Sequence, residues 1–353
     1  MREINSKMLV LAREARGYTQ KELCELLGIT QGSLSKIEKG IQSSSVENIE
    51  KFCNVLKYPE SFFYQQDNIY NPDLIYYRRR IAVKKKVLLK AEAKLNIVRM
   101  NIEKLLSSVE LPEDNLFQWD VDKNGTPEEA AITLRQQWKI PKGRIDDLVK
   151  LIEDNGIIVI PFDFGADKFD GLSMYTTKNE PLIFYNSNMP GDRQRLTIAH
   201  ELGHLIMHFG RIIDIERDVE KEAMKFASEL LVPEKEFKST IVSFDLRTLA
   251  NLKLYWRVSM GSLLYRCKAL DMITDNQYRY LWQQMSMLGY KTKEPKELEV
   301  ISETPTLLTE IIEKYSDELE YSKSEIAGLL NINEDDLQEM YFKKETRFKI
   351  IRN

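Results

Sequence analysis

Apolar positions along the chain recur first at helical spacing. Met8, Leu11, Ala12 and Ala15 form one stripe, which Gly17 closes. Thr19, with Glu22 three residues on, reads as a capping box that opens the next helix. Leu23, Leu26 and Leu27 pack that helix, Gly28 permits a tight turn, and Ile29, Leu34 and Ile37 bury the helix after it. Pro59 ends this module. From Asp73 onward, Val87, Ala91, Leu95, Val98, Ile102, Leu105 and Leu106 repeat at helical spacing until Pro112, which predicts a long connecting helix. A second unit opens at Thr126-Pro127-Glu128-Glu129, with proline at the first helical position. Its helix ends before Pro141, and another runs from about Arg144 to Asn155-Gly156.

The period then changes. Ile157 to Ile160 is a short β-rich run closed by Pro161, and Gly171–Tyr175 and Pro181–Tyr185 follow as a strand pair. A further helix begins near Asp192. From about Val242 the pattern is helical again, and two segments, Thr248 to Met272 and Ser322 to Tyr341, echo the first module. The second of these is acidic (Glu325, Glu334, Asp335, Asp336, Glu339), so it is read as a packing element without DNA contact. The order predicts an α+β, mostly helical chain with a small sheet against helices.

At 353 residues the chain exceeds one small core, and two or three domains are expected. A content of 43% hydrophobic and 30% charged residues fits a soluble, well-packed protein. No run of about 18 apolar residues exists, so no membrane span is expected. The first residues lack the apolar stretch of a signal peptide, which predicts a cytoplasmic protein. Cys24, Cys53 and Cys267 show no paired spacing and are read as free thiols in a reducing compartment. The net charge of −4 gives no global nucleic-acid signal. Between Tyr76 and Lys104, however, ten basic residues (three of them Lys84, Lys85 and Lys86) face only Glu92 and Glu103, which implies a local anionic partner or a solvated helix face.

The chemistry concentrates in Arg195-Leu-Thr-Ile-Ala-His-Glu-Leu-Gly-His-Leu-Ile-Met-His208. All three histidines of the chain lie in its last nine residues. Random placement of three histidines puts two of them four apart about 2% of the time, and the adjoining glutamate lowers this below about 0.3%. Two imidazoles four apart share one helix face, about 6 Å apart along the axis, and can reach one zinc ion at about 2.0–2.1 Å. Glu201 lies about 100° round from His200, beside such an ion, where its carboxylate could move a proton. Leu202, Leu205, Ile206 and Phe209 make this helix a buried one, and Gly203 inside it suggests a close neighbour.

A catalytic zinc needs three protein ligands and an open position. His208 lies about 80° round the helix from His200 and is read as supporting or core. A carboxylate from the amphipathic segment Val219 to Pro233 is the natural third ligand. With Ala223, Phe226, Ala227, Leu230 and Leu231 as its stripe, Glu220 lies about 50° from the stripe centre and Glu222 about 110°. Glu220 is the expected ligand, with Glu222 as the alternative. No oxyanion stabiliser stands out; Tyr175 and Tyr185 are the hydroxyls considered, each more at home in a core.

The run RLTIAHELGHLIMH, followed by ExxAxxFAxxLLxP from Glu220 to Pro233, resembles the ImmA/IrrE-like metallopeptidases. Lys168-Phe-Asp-Gly and the strand before Asn186 fit the same pattern. The resemblance implies His200, His204 and Glu220 as zinc ligands and Glu201 as the catalytic acid and base. Met224 stands where that family often has asparagine, which removes a hydrogen bond from the surroundings of the site.

Thr19 to Gly40 resembles the phage-repressor-type (XRE) helix-turn-helix, through Thr19-Gln20 and Glu38-Lys39-Gly40. Gln31, Ser33 and Lys36 are then expected outward near the start of the recognition helix, where side chains reach base edges. That likeness implies phosphate contacts from Gln20 and Lys39. Gly32 replaces a side chain that often reads bases. Residues 1–70 hold nine basic and nine acidic side chains, a weak balance for a free-standing DNA binder, so a protein-docking module is the competing reading. Together the two resemblances cover most of residues 1–290.

The expected organisation is a five-helix-type helix-turn-helix domain over residues 1–66 and a basic linker helix over 67–112. A small-sheet, zincin-like metallopeptidase domain over 113–240 follows, then a helical region with helix-turn-helix-like repeats over 241–353. The expected partners are double-stranded DNA and a protein substrate, a helix-turn-helix repressor, with no membrane; a homodimer is left open. Two functions compete. One is a regulatory zinc endopeptidase that cleaves a partner regulator. The other is a non-enzymatic transcriptional regulator or antitoxin whose peptidase-like domain acts as a sensor. The intact His-Glu-x-x-His motif with its carboxylate favours the first.

Overall fold

Thr19 and Glu22 close the capping box expected of them: the Thr19 hydroxyl accepts from the Glu22 amide at 3.2 Å, and the Glu22 carboxylate accepts from the Thr19 amide at 2.7 Å. The computed structural model in which this is seen describes residues 3–342, except 67, 68, 70–83, 110, 113, 167, 211–213 and 215. Its backbone divides into two units. One comprises Met1–Glu110, Phe164–Lys168 and Leu307–Asn353; the other comprises Leu111–Asp163 and Phe169–Thr306.

The first unit begins with helices α1 (Ser6–Ala15), α2 (Gln20–Leu27), α3 (Gln31–Glu38) and α4 (Val46–Leu56). Gly28 joins α2 to α3 at φ +67°, a left-handed conformation that glycine adopts without steric cost. Thr30 then caps α3 by accepting from the Ser33 amide. Met8, Leu9, Leu23, Leu34 and Phe52 are fully buried between these helices. In the fifth helical position stands a short 3-10 turn, Glu60–Tyr64, which inserts Phe62 and Phe63 into the core.

The connecting helix is α5 (Lys85–Leu105); the expected stretch before it, including Arg78, Arg79 and Arg80, lies outside the described residues. Within α5, Ala91, Ala93, Leu95, Ile97, Val98, Met100 and Ile102 are all buried, on more than one face, which makes it a core helix of its unit.

The second unit carries α6 (Val121–Asn124), α7 (Pro127–Gln137), α8 (Leu148–Glu153), β1 (Ile158–Phe162), β2 (Gly171–Tyr175), β3 (Pro181–Asn186), α9 (Gly191–Met207) and α10 (Val219–Leu231). Helices α11 (Glu234–Thr240), α12 (Leu246–Trp256), α13 (Met260–Ala269) and α14 (Asp275–Met287) follow. The sheet order is β1-β3-β2, with β1 parallel and β2 antiparallel to β3. Two local expectations need correcting. Pro161 does not close β1, which runs on to Phe162; β1 is an edge strand, where a missing N–H is tolerated. Helix α8 is also shorter than the expected span from Arg144, because Asp147 caps it and Glu303 accepts both the Leu148 and Val149 amides at 2.9 Å.

Helices α15 (Leu307–Asp317), α16 (Lys323–Leu330) and α17 (Glu334–Tyr341) return to the first unit. Arg16, just after α1, holds Asp336 of α17 at 2.6 Å and stacks over Tyr58 at 4.3 Å. Tyr315 donates to the Leu105 carbonyl at 2.7 Å. The result is an α+β, mostly helical protein with a helix-turn-helix at its N-terminus and one three-stranded sheet among the described residues. No helix among them is long and apolar enough to cross a membrane.

Candidate metal centre

Helix α9 is buried along most of its length: Leu202, Leu205 and Ile206 are fully enclosed. The four-residue spacing of His200 and His204 brings their Nε2 atoms to 3.1 Å from each other. Ala223, Phe226, Ala227 and Leu230 of α10 form a buried stripe, and Phe226 seats against Gly203. That crossing delivers Glu220, in the first turn of α10, to the histidine pair. One Glu220 oxygen lies 3.4 Å from His200 Nε2 and the other 3.4 Å from His204 Nε2.

These three residues are the described His, Cys, Asp and Glu side chains that could hold an ion together, with all their ligand atoms within 4.8 Å of one another. Two ligands at about 2.0–2.1 Å from a tetrahedral zinc stand about 3.3–3.4 Å apart. The observed separations of 3.1 to 3.4 Å match that edge, and two nitrogens with one carboxylate are a donor set zinc accepts. The residues fit the ion. Hydrogen bonds from His200 and His204 hold the Glu220 carboxyl well below the ordinary carboxylate range. Burial would lower the His200 pKa, but the bond to Glu220 and the charge of Glu201 outweigh it and raise it.

Glu222 goes elsewhere. Its Oε2 lies 3.0 Å from His208 Nε2, and its Oε1 accepts from Arg217 Nε at 2.7 Å. Burial pushes this carboxyl up, yet the bonds from Arg217 and His208 prevail and lower it. His208 in turn places Nδ1 2.9 Å from Nδ1 of His204, and its pKa falls to about 4 through burial and the neighbouring His204.

Glu201 is buried beside the ligand set, and its Oε2 accepts from the Ser173 hydroxyl at 2.8 Å. Strand alternation turns Gly171, Ser173 and Tyr175 of β2 toward α9. A Cβ on Gly171 would lie 2.5 Å from Thr197 Cγ2 and 3.2 Å from Glu201 Cγ, so glycine is what lets the strand come this close. Tyr175 packs edge-on against Phe209 with centroids 5.1 Å apart, and Tyr185 is buried. Sequence reasoning missed Ser173, although strand alternation puts its hydroxyl on the same face as Gly171. It also missed Arg217.

In the helix-turn-helix, Gln31 and Lys36 are exposed on α3, Lys39 is exposed as its C-cap, and Ser33 is half-buried. Gln20 is not free on the surface: its side-chain amide donates to Glu38 at 2.6 Å, and Glu38 pairs with Arg13 at 2.6 Å. Lys86 of α5 meets Glu22 of α2 at 2.7 Å.

Comparison with known families places residues 152–268 in a peptidase-family model described as the IrrE N-terminal-like domain. Residues 9–63 match the helix-turn-helix model. No curated protein matches the chain. Among solved structures it is similar to ComR from S. thermophilus in complex with DNA and its signalling peptide ComS. That likeness has 14% identity and a TM-score of 0.18, covering 83% of this chain and 96% of that one. At that TM-score it has no bearing on the fold.

Proposed function

We propose that this chain, which carries a helix-turn-helix domain followed by an IrrE N-terminal-like domain, is a regulatory zinc-dependent endopeptidase. It binds double-stranded DNA through the first domain and cleaves a partner regulator, a helix-turn-helix repressor, with the second. The cytoplasm is its expected compartment, in keeping with three free cysteines. The observation that carries this reading is the ligand triangle of His200, His204 and Glu220 with Glu201 buried next to it.

His200, His204 and Glu220 would hold the ion. Zinc, when bound, supplies Lewis acidity toward the scissile carbonyl and an acidified water. Glu201 would take a proton from the water whose oxygen adds to the scissile carbonyl carbon, and pass it to the nitrogen as the C–N bond breaks. Ser173 donates to Oε2 and so fixes the orientation in which the Glu201 carboxylate meets that proton. Gln31, Ser33 and Lys36 of α3 are the side chains proposed to meet base edges, with Gln20 and Lys39 toward phosphates.

The test is direct. Zinc-loaded full-length protein is incubated with helix-turn-helix proteins encoded nearby, with and without a chelator. Chelator-sensitive cleavage of one of them is expected. If none is cut under any condition while the chain still regulates transcription, the domain acts as a sensor.

A further inference from the structure

We propose that His208, Glu222 and Arg217 form a positioning chain that sets how tightly the metal centre retains its ion. The inference rests on the zinc reading above and adds residues to which that reading gives no role. For His204 to bind metal, Nε2 must offer its lone pair, so its ring proton sits on Nδ1. Nδ1 points at His208 Nδ1 across 2.9 Å, which must then accept. The His208 proton is thereby driven to Nε2, which faces the Glu222 carboxylate at 3.0 Å. Glu222 is itself fixed through its second oxygen by Arg217 Nε at 2.7 Å, and Arg217 reaches Asp122 at 3.1 Å.

With the ion in place and His208 neutral, one arrangement of protons satisfies each link from His204 to Glu222, and it is the arrangement that presents the His204 Nε2 lone pair to metal. Reversing it puts two N–H groups, or two lone pairs, face to face at some link. A carboxylate acting through an imidazole also makes the ligand ring more basic and stops it rotating. The side chains of His204 and His208 are only 5% and 0% exposed, so water has little access to replace these bonds.

A second observation sharpens the role. Nδ1 of the other histidine, His200, is buried and has no hydrogen-bond partner among the described residues. Orientation of the ligand pair therefore falls on the His204 side. Arg217 adds to this from the backbone: it immediately precedes Asp218, the N-cap of α10, and lies three residues from Glu220. Anchoring Arg217 on Asp122 and Glu222 thus also steadies the turn that presents the third ligand.

The experiment measures zinc affinity of the full chain by competition with a chromogenic chelator, alongside thermal melting of the metal-free protein. His208→Phe fills the same volume but breaks both imidazole links; Glu222→Gln keeps the shape and removes the charge. Each is expected to weaken zinc binding 10–100-fold, the range for outer partners of a ligating histidine. The metal-free melting temperature of Glu222→Gln should stay close to that of the unaltered chain. Because His208 and Glu222 act in series on His204, the double variant should lose clearly less affinity than the two single losses combined. Unaltered zinc affinity in Glu222→Gln, or strictly additive losses in the double variant, would overturn the chain. If instead the unaltered protein takes up no zinc, the metal reading itself falls and this inference with it.

Discussion

A methyl group placed on Gly203 would sit 2.9 Å from Cδ1 of Phe226. This contact sets the distance between α9 and α10, and hence the distance of Glu220 from the two histidines. Gly203→Ala would gain up to about 1 kcal/mol of helix propensity on an open surface. Here overpacking costs about 1–3 kcal/mol, so a net loss of stability is expected. Denaturant unfolding of the metal-free chain reads this, and zinc affinity should fall alongside. A more stable Gly203→Ala protein would mean that the crossing has slack and that Gly203 does not set the site.

The purified protein is expected to hold about one zinc per chain, and His204→Ala should lose it, since two ligands do not retain a catalytic ion. Glu220→Gln should weaken zinc binding more than Glu222→Gln does, because Glu220 is the carboxylate within reach of both histidines. Metal analysis after gel filtration tests the first point, and chelator competition the second. The reverse order of the two glutamates would overturn the ligand set.

Which features could be read from the chain follows from the range of the forces behind them. The capping boxes at Thr19 and Thr126 and the face carrying Glu220 are local, because each depends on residues within one or two helical turns. Long-range features were not legible. Glu303 shortens α8 from about 150 positions away in sequence. Arg217 finds Asp122 from 95 positions away in sequence. Helix α5 reads as a basic connector because Glu92, Asn96, Arg99 and Asn101 look like solvent positions, yet all four are buried. Helical periodicity identifies a stripe, but not a second stripe that covers polar side chains satisfied by distant partners, as Asn101 is by Tyr341.

DNA binding by the first module should weaken steeply as salt rises. Replacing Lys84, Lys85 and Lys86 with alanine should lower affinity for all sequences alike, whereas Gln31→Ala should change sequence preference. Lys86 is the least effective of the three as it stands, since Glu22 offsets its charge at 2.7 Å. Glu22→Gln keeps a capping-box side chain and frees that lysine, so it should raise affinity and steepen the salt dependence by about one phosphate contact. Band shifts on random and operator-like duplexes over a salt series separate these cases. Absence of binding at low salt would make the module a protein-docking domain.

In the proposed mechanism catalysis turns on Glu201, which touches Ser173 and is not among the three candidate ligand residues. Glu201→Gln should therefore keep zinc, the fold and DNA binding. Its neutral amide can still accept from the Ser173 hydroxyl through oxygen, but it cannot take a proton from water. General acid–base help is worth about 10²–10⁴ in rate, enough to silence a slow regulatory protease. Ser173→Ala should do less: it frees Oε2 and lets the carboxylate turn, so cleavage should slow while zinc affinity holds. Cleavage rate and zinc content measured together on both variants decide the matter, with the regulated genes as the cellular readout. If Glu201→Gln abolishes partner cleavage and locks those genes in one state, the chain works as a protease. If that variant regulates as the unaltered protein does with its zinc still bound, proton transfer at Glu201 has no part in the function, and the enzyme reading must be given up in favour of a sensor.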